Sequence, residues 1–450
     1  MGARVGRGAH GAVVTAARRE ADWLGVPEAL ARILAAVRAT EAEHVALADA
    51  ARRVTAEPVA APAPHPPWTN SAMDGYAVRA EDVRGASAAR PARLRVVENV
   101  PAGGFPTRAV GPGEATRVMT GAPIPEGADG VIRLEHTSAW QTPAHPDEVT
   151  VLRDDDAGRN LRHAGEDYVA GETLVAAGSL ITPARVGLFA STGVERVAVH
   201  RRPTVALLAT GDELAGPEAF DDVRAGRRIA NSNTPALAAA VAEAGGLPLP
   251  LGIARDDLDD IRGRLASARG ADVLVTTAGA SVGDHDVVKD ALEAEGFELD
   301  FWRVRMRPGS PASFGRIGHT LVFGLPGNPV SALVTFHVLV APALRALQGR
   351  RLRHNAVERV VTAEPIPTKA GLAHFLRVRL ERGQGGLRAA RLTGPQGSGI
   401  LTSVSRADAL LVVPEDLNGL PAGVEADALP LDRPLAGQPE LGYATVAGAG

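Results

Sequence analysis

The residues with chemical reach are carboxylates and hydroxyls set among glycines. The stretch "NSAMDGYAV", residues 70–78, packs a Ser, a Met, an Asp-Gly pair and a Tyr into one run. Asp-Gly favours a type I′ hairpin turn, because glycine accepts positive φ without steric cost. The local expectation for Gly75 is a turn, with Asp74 either a turn former or a catalytic carboxylate. Further on, Gly211-Asp212-Glu213 and the run Gly279–Asp286 each follow a buried-strand pattern, "TVALLAT" and "ADVLVTTAG". In open α/β sheets ligands bind outside the carboxyl ends of strands, which is where these two runs fall. "ENVPAGG" and "MTGAPIPEGADG" are dense in turn residues, and unpaired amides in such loops can cradle an anion. The acids also have plainer readings. Asp167 can salt-bridge to nearby arginines, Glu213 and Asp284 can cap helices, and His285 can be a solvated ring.

Composition bounds the setting of these residues. The chain has 450 residues, 45% hydrophobic and 22% charged, the make-up of a soluble globular protein with more than one core. A formal net charge of −4 argues against a general basic field for nucleic acid. Cysteine is absent, which excludes disulfides, thiolate zinc sites and a Cys nucleophile, and fits a cytoplasmic location. No apolar run is expected to span a bilayer. The first 21 residues read as a disordered tail, or as translation begun too far upstream.

The elements follow from pattern. Pro27 suits a first helical turn, and Leu30, Ile33, Leu34 and Val37 then form one apolar stripe. From 42 to 164 short β-prone runs alternate with Gly and Pro, an irregular β domain. From 201 to 352 buried strands alternate with helices, which implies a parallel sheet covered on both faces. There Asn328 suits an N-cap and Pro342 should kink or divide the last helix. Residues 353–450 return to short strands.

In this order, "NSAMDGYAVR", "MTGAPIPEGADGVI", "GRNLRHAGEDYVAGE", "LLATGDEL", "TTAGASVGDHD", "MRPGSPASFG" and "GLPGNPVSA" resemble the molybdopterin molybdenumtransferase family, MoeA and the gephyrin E domain. The resemblance implies a multidomain α/β plus β fold. Its parts are a central α/β molybdopterin-binding domain with a parallel sheet, an irregular β domain and a C-terminal small β-barrel-like domain. A helical linker and dimerisation domain joins residues 22–41 to about 165–200. The resemblance also implies the activity: Mg²⁺-assisted insertion of molybdate into adenylylated molybdopterin, giving molybdenum cofactor and AMP. It implies a homodimer whose clefts pair the α/β domain of one subunit with the irregular β domain of the other. A molybdopterin adenylyltransferase or recipient molybdoenzymes would be partners; nucleic acid and membrane would not.

Carried over position by position, the resemblance makes Asp74, Thr120, Asp167, Glu213 and Asp286 active-site residues. Asp74, Glu213 and Asp286 would hold the Mg²⁺. Gly211, Asp212 and Ser281 would meet substrate, with Asp256 or Asp257 adding one more carboxylate. Ser331 falls where the family contacts the oxyanion, and Arg377 and Ser398 match molybdate contacts. Two motifs depart from the pattern. "RPGSP" stands where the family has "KPGKP", so Arg307 keeps a charge and Ser310 loses one. Ala278 stands where "SGG" has its middle glycine. Two alternatives stay open: an adenylyltransferase on the same α/β domain, and a diverged non-catalytic pterin-binding carrier or scaffold.

Overall fold

The structure, a computed structural model, describes residues 23–140, 147–277, 287–383, 386–431, 437–438 and 441. It comprises two compact units, one of residues 23–57, 177–186 and 196 onward, the other of 58–176 and 187–195. The expected N-terminal tail lies outside the described residues.

The first unit opens with helix α1 (Val26–Ala36), with Pro27 in its first turn. Its buried face, Ala29, Leu30 and Ile33, joins the main core of the same unit, so the apolar stripe is covered within its own unit. Ala42–Ala46 pairs antiparallel with Arg196–His200, which keeps residues 42–57 with this unit rather than with the β domain expected to begin at 42. A partner strand so distant in sequence leaves no local signal.

The second unit holds β1 (Asn70–Ser71), β2 (Gly75–Val78), β3 (Ala92–Val100), β4 (Glu114–Val118), β5 (Gly130–Arg133), β6 (Glu148–Val151) and β7 (Leu161–Arg162). Five of them form one sheet in the order β5-β2-β4-β3-β6, and β1 pairs with β7. Tyr76, Val78, Leu94, Ile132 and Val149 pack one face; Ala77, Val100, Val118 and Val131 pack the other. Gly75 is not in a hairpin turn. It begins β2 between Val118 and Arg133. A Cβ there would stand 2.1 Å from the Ile132 carbonyl oxygen. Close strand approach, not positive φ, requires the glycine.

The central part of the first unit runs β8 (Thr204–Thr210), α2 (Asn233–Glu243), β9 (Leu247–Ala254), α3 (Leu258–Ser267), β10 (Val273–Thr277), α4 (Val287–Ala294), β11 (Glu298–Phe301), β12 (Met306–Arg307), β13 (Ser313–Ile317) and β14 (Thr320–Leu325). The sheet order is β9-β8-β10-β14-β13-β11. The first four strands are parallel, as the buried-strand pattern implies. β13 alone runs against them, antiparallel to β14 on one side and to β11 on the other, because it turns directly into β14 through Gly318 at φ 57° with Ile317 opposite Thr320. Val205, Leu207, Val273 and Val275 face one core, with Leu237 and Val241 of α2. Ala206, Leu208 and Leu274 face the other, with Ile261, Leu265, Val288 and Leu292. Successive side chains thus feed opposite layers.

Helix α5 (Pro329–Thr335) continues through a π-helical turn, Phe336–Val340, into α6 (Ala341–Leu347). The wider turn precedes Pro342, so the helix absorbs the proline without dividing. Asn328 occupies the cap position but makes no side-chain cap bond. Contrary to expectation, Pro329–Leu347 is long and apolar enough to cross a bilayer by length and composition. Its most apolar window is 89% buried inside the protein, the signature of a core helix.

The chain ends in β15 (Glu358–Thr362), β16 (Ala373–Arg382), β17 (Arg388–Leu392), α7 (Leu401–Ser405), β18 (Ala409–Val413) and β19 (Glu425–Pro430). The order β12-β16-β17-β15-β19-β18 closes through a β16–β18 pairing into a five-stranded barrel, with β12 attached outside it. Val360, Val378, Leu411 and Val413 fill its interior.

Candidate active site

In the second unit two sequence-selected residues meet. The Thr120 backbone N–H donates to Asp74 Oδ1 at 2.7 Å, and the Thr120 hydroxyl donates to the same oxygen at 2.8 Å. Both residues are exposed. These bonds, backbone first, hold the Asp74 carboxyl below the ordinary aspartate range, with Arg117 adding to the effect. Among the described residues Oδ2 accepts no hydrogen bond, so one charged oxygen stays available. The backbone sets this geometry. Met119–Ala122 is a turn closed by a 2.9 Å bond, with Gly121 at φ 85°. The Gly121 N–H is anchored on the Ser71 carbonyl at 2.8 Å, and the Leu134 N–H grips the Asp74 carbonyl at 3.0 Å. Buried Asp156 clamps the strand before Leu134 by accepting from the Arg133 N–H and guanidinium.

Beside this pair lies an open cavity of about 520 Å³, within the size range of small-molecule sites. Asp167 lines it, with His65, Trp68, Asn70, Arg162 and Glu166. Gly121 of the Thr120 turn borders it too. Asp167 makes no ion pair with an arginine among the described residues; its N–H donates to the His65 carbonyl at 3.0 Å. Trp68, Asn70 and Arg162 escaped selection from the sequence. Only the aromatic in "HPPW", among prolines, hinted at them.

In the first unit the parallel strands end level: Thr210 pairs with Ala254, Ala209 with Thr277, and Thr277 with Leu325. The chain runs from β8 outward to β9 and then back past β8 to β10. The switch point, where ligands bind in such sheets, therefore lies between β8 and β10. Gly211, Asp212 and Glu213 leave β8 there, both acids exposed. Gly211 has φ 143°, and a Cβ on it would stand 2.6 Å from each Glu213 carboxylate oxygen. The carboxylate thus folds back over Gly211, whose φ favours glycine. Asp256 and Asp257 leave the neighbouring β9. Asp257 caps α3, accepting the Asp260 N–H at 2.9 Å. Asp256 is exposed and, among the described residues, makes no side-chain hydrogen bond. Ala278, Ser281 and Asp286 lie outside the described residues.

Ser331, 4% exposed, sits in the first turn of α5. The neighbouring Val330 N–H donates to the Ser398 carbonyl at 3.2 Å. The same loop meets Arg377, whose Nη2 donates to the Gly397 carbonyl at 3.2 Å and whose Nε donates to Ser403 Oγ at 3.1 Å. Arg377 is fully buried, and burial pushes its pKa down to about 10. Ser331, Ser398 and Arg377 therefore gather around one loop of the barrel. Arg307 is exposed and pairs in register with His374. The Ser310 hydroxyl donates to the Met306 carbonyl at 2.6 Å. That bond ties the hydroxyl to its own loop, because the carbonyl lies within reach of a short side chain, and the hydroxyl oxygen can still accept.

Among the described residues no group of three or more His, Asp or Glu converges as a metal cage.

The first unit thus carries a switch-point sheet with acids at its strand ends and a closed barrel, the build of an α/β ligand-binding domain with a small β domain, and the second is a β unit of its own. Three family descriptions match in order: MoeA N-terminal region (domain I and II) over residues 24–193, probable molybdopterin binding domain over 206–346, and MoeA C-terminal region (domain IV) over 359–431. The molybdopterin molybdenumtransferase 2 of Mycobacterium tuberculosis strain H37Rv is 36% identical over 395 residues, 86% of this chain and 95% of the relative. The molybdopterin molybdenumtransferase of Bacillus subtilis is 34% identical, covering 88% of this chain and 92% of the relative. The crystal structure of the molybdopterin biosynthesis moeA protein from Pyrococcus horikoshii OT3 superposes with a TM-score of 0.78 at 30% identity, covering 90% of this chain and all of that one. The chain belongs to the molybdopterin molybdenumtransferase family.

Proposed function

We propose that the protein is a transferase of molybdenum cofactor biosynthesis that inserts molybdate into adenylylated molybdopterin and releases AMP. The observation that carries this reading is the Asp74–Thr120 pair, two family positions distant in sequence and bonded twice in space. Molybdate and the substrate pyrophosphate are both anions, so a productive site must screen their repulsion. Glu213, Asp286 and Asp74 would hold Mg²⁺, which when bound polarises the pyrophosphate as a Lewis acid. Arg377, Ser398 and Ser331 would receive the molybdate, with Arg307 as the exposed cation of its loop. Asp256 serves the substrate better than Asp257, which is committed to its helix cap. The working form would be a cytoplasmic homodimer in which each cleft draws on both subunits.

The test is incubation with adenylylated molybdopterin, Mg²⁺ and molybdate, following AMP. Molybdate-dependent AMP release is the expected result. AMP release indifferent to molybdate, or none, removes the assignment.

A further inference from the structure

Trp68 is a large aromatic left on the surface without an obvious structural reason. It is 40% exposed, and it lines the cavity beside the Asp74–Thr120 pair. Phe105, 60% exposed, meets it with ring centroids 4.9 Å apart at 67°, an edge-to-face contact. That contact steadies the indole while leaving ring surface toward the cavity. Leaving this much ring area in water forgoes part of the gain that full burial would bring, which suits a role beyond folding.

A second feature of the same wall points to a ligand. Asn70 is 6% exposed and lines the cavity, yet its Oδ1 accepts no hydrogen bond. Its Nδ2 makes only a long contact, 3.5 Å, to the Trp68 carbonyl. A buried acceptor without a donor is costly, and a bound N–H would relieve it. A π-face next to an unmet acceptor suits a planar heterocycle carrying an amino group.

We propose that Trp68, oriented by Phe105 and aided by Asn70, forms the stacking wall for an amino-substituted heterocycle of the substrate. This rests on the transferase reading. Under it, two rings of the substrate share that chemistry, the adenine of the AMP part and the pterin. Stacking is felt equally before and during reaction, so it sets KM more than kcat. Base–aromatic stacking is lost by about tenfold or more on alanine substitution.

The experiment titrates the full chain with AMP, and separately with a simple soluble pterin, by calorimetry. Wild type, Trp68→Ala, Trp68→Leu and Trp68→Phe are compared after their melting curves. At least one probe should bind wild type and weaken about tenfold in Trp68→Ala and Trp68→Leu, while Trp68→Phe stays within about threefold. Dependence in the AMP arm places adenine on the wall; dependence in the pterin arm places the pterin there. Equal binding by wild type and Trp68→Leu for both probes overturns the proposal, as does a wild type that binds neither. Turnover separates this from the function itself. If wild type releases AMP and Trp68→Leu leaves KM unchanged, the wall fails and the transferase stands. If wild type releases no AMP but a probe binds through Trp68, the transferase fails and the wall stands.

Discussion

Asp74 and Thr120, 46 residues apart, are joined by two hydrogen bonds to a single carboxylate oxygen. Both donors come from one residue, so the turn Met119–Ala122 aims the Asp74 carboxylate as a unit. The bonds favour the charged form, which keeps the acid ionised at pH values where a free aspartate begins to protonate.

Thr120→Val should move the acid limb of the pH–activity profile to higher pH. Losing the hydroxyl donor lets the Asp74 pKa rise toward its usual value, so the carboxylate protonates earlier as pH falls. The remaining Thr120 backbone donor makes the shift partial, and Thr120→Ser should restore the wild-type limb. A profile of AMP release between about pH 2 and 6, which brackets the usual aspartate value of about 3.9, measures it; an acid limb unmoved by Val would mean Asp74 does not set it.

Gly75→Ala should destabilise the second unit. The added methyl would stand 2.1 Å from the Ile132 carbonyl oxygen, so β2 and β5 must separate. A cost of about 1–3 kcal/mol is expected from such overpacking, read as a lower urea midpoint. Unchanged stability would show that the strands part freely.

Asp156→Asn should cost about 3 kcal/mol, the scale of breaking a buried ion pair. Burial alone would push the Asp156 carboxyl up, but the Arg133 bonds outweigh it and hold it at about 2. A depressed folded pKa stabilises above the unfolded value, about 3.9, and that contribution fades as pH falls through about 2. The gap between wild type and Asn should therefore be full at pH 7 and shrink toward pH 2. Melting curves across that range decide, and a constant gap would contradict the charge pairing.

Asp256→Ala and Asp257→Ala should separate function from fold. Asp257→Ala removes the α3 cap and should cost about 1 kcal/mol with activity largely kept. Asp256→Ala should leave stability within about 0.5 kcal/mol and reduce AMP release. The reverse pattern would assign the carboxylates the other way round.

Mixed dimers test the shared clefts. Asp74→Ala and Asp286→Ala subunits, each inactive alone, should regain part of the activity when combined. Verified heterodimers with no recovery would place the whole reaction within one subunit.

Much of the fold was legible because it is local. The runs "TVALLAT" and "VLVTT" are apolar on both faces, as a strand between two helical layers requires, and both are central parallel strands. Pro27 and its stripe marked a helix whose covering is supplied by its own unit. Other features lay beyond local pattern. Gly75 reads as a turn because the Ile132 carbonyl that demands a glycine lies far along the chain. Asp256 and Asp257 are equivalent as letters, and only the Asp260 N–H makes one of them a cap. The bond from the Ser310 hydroxyl to the Met306 carbonyl likewise cannot be read from "RPGSP" alone.

Periodicity and motif, which are properties of neighbouring residues, were enough for most element types, for the acids after "TVALLAT" and for the family. Tertiary structure alone decided which groups meet: Thr120 with Asp74, Arg377 with the Ser398 loop, Trp68 with Phe105. Hydrogen bonds and ring contacts act over a few ångströms, and only folding brings residues tens of positions apart within that distance.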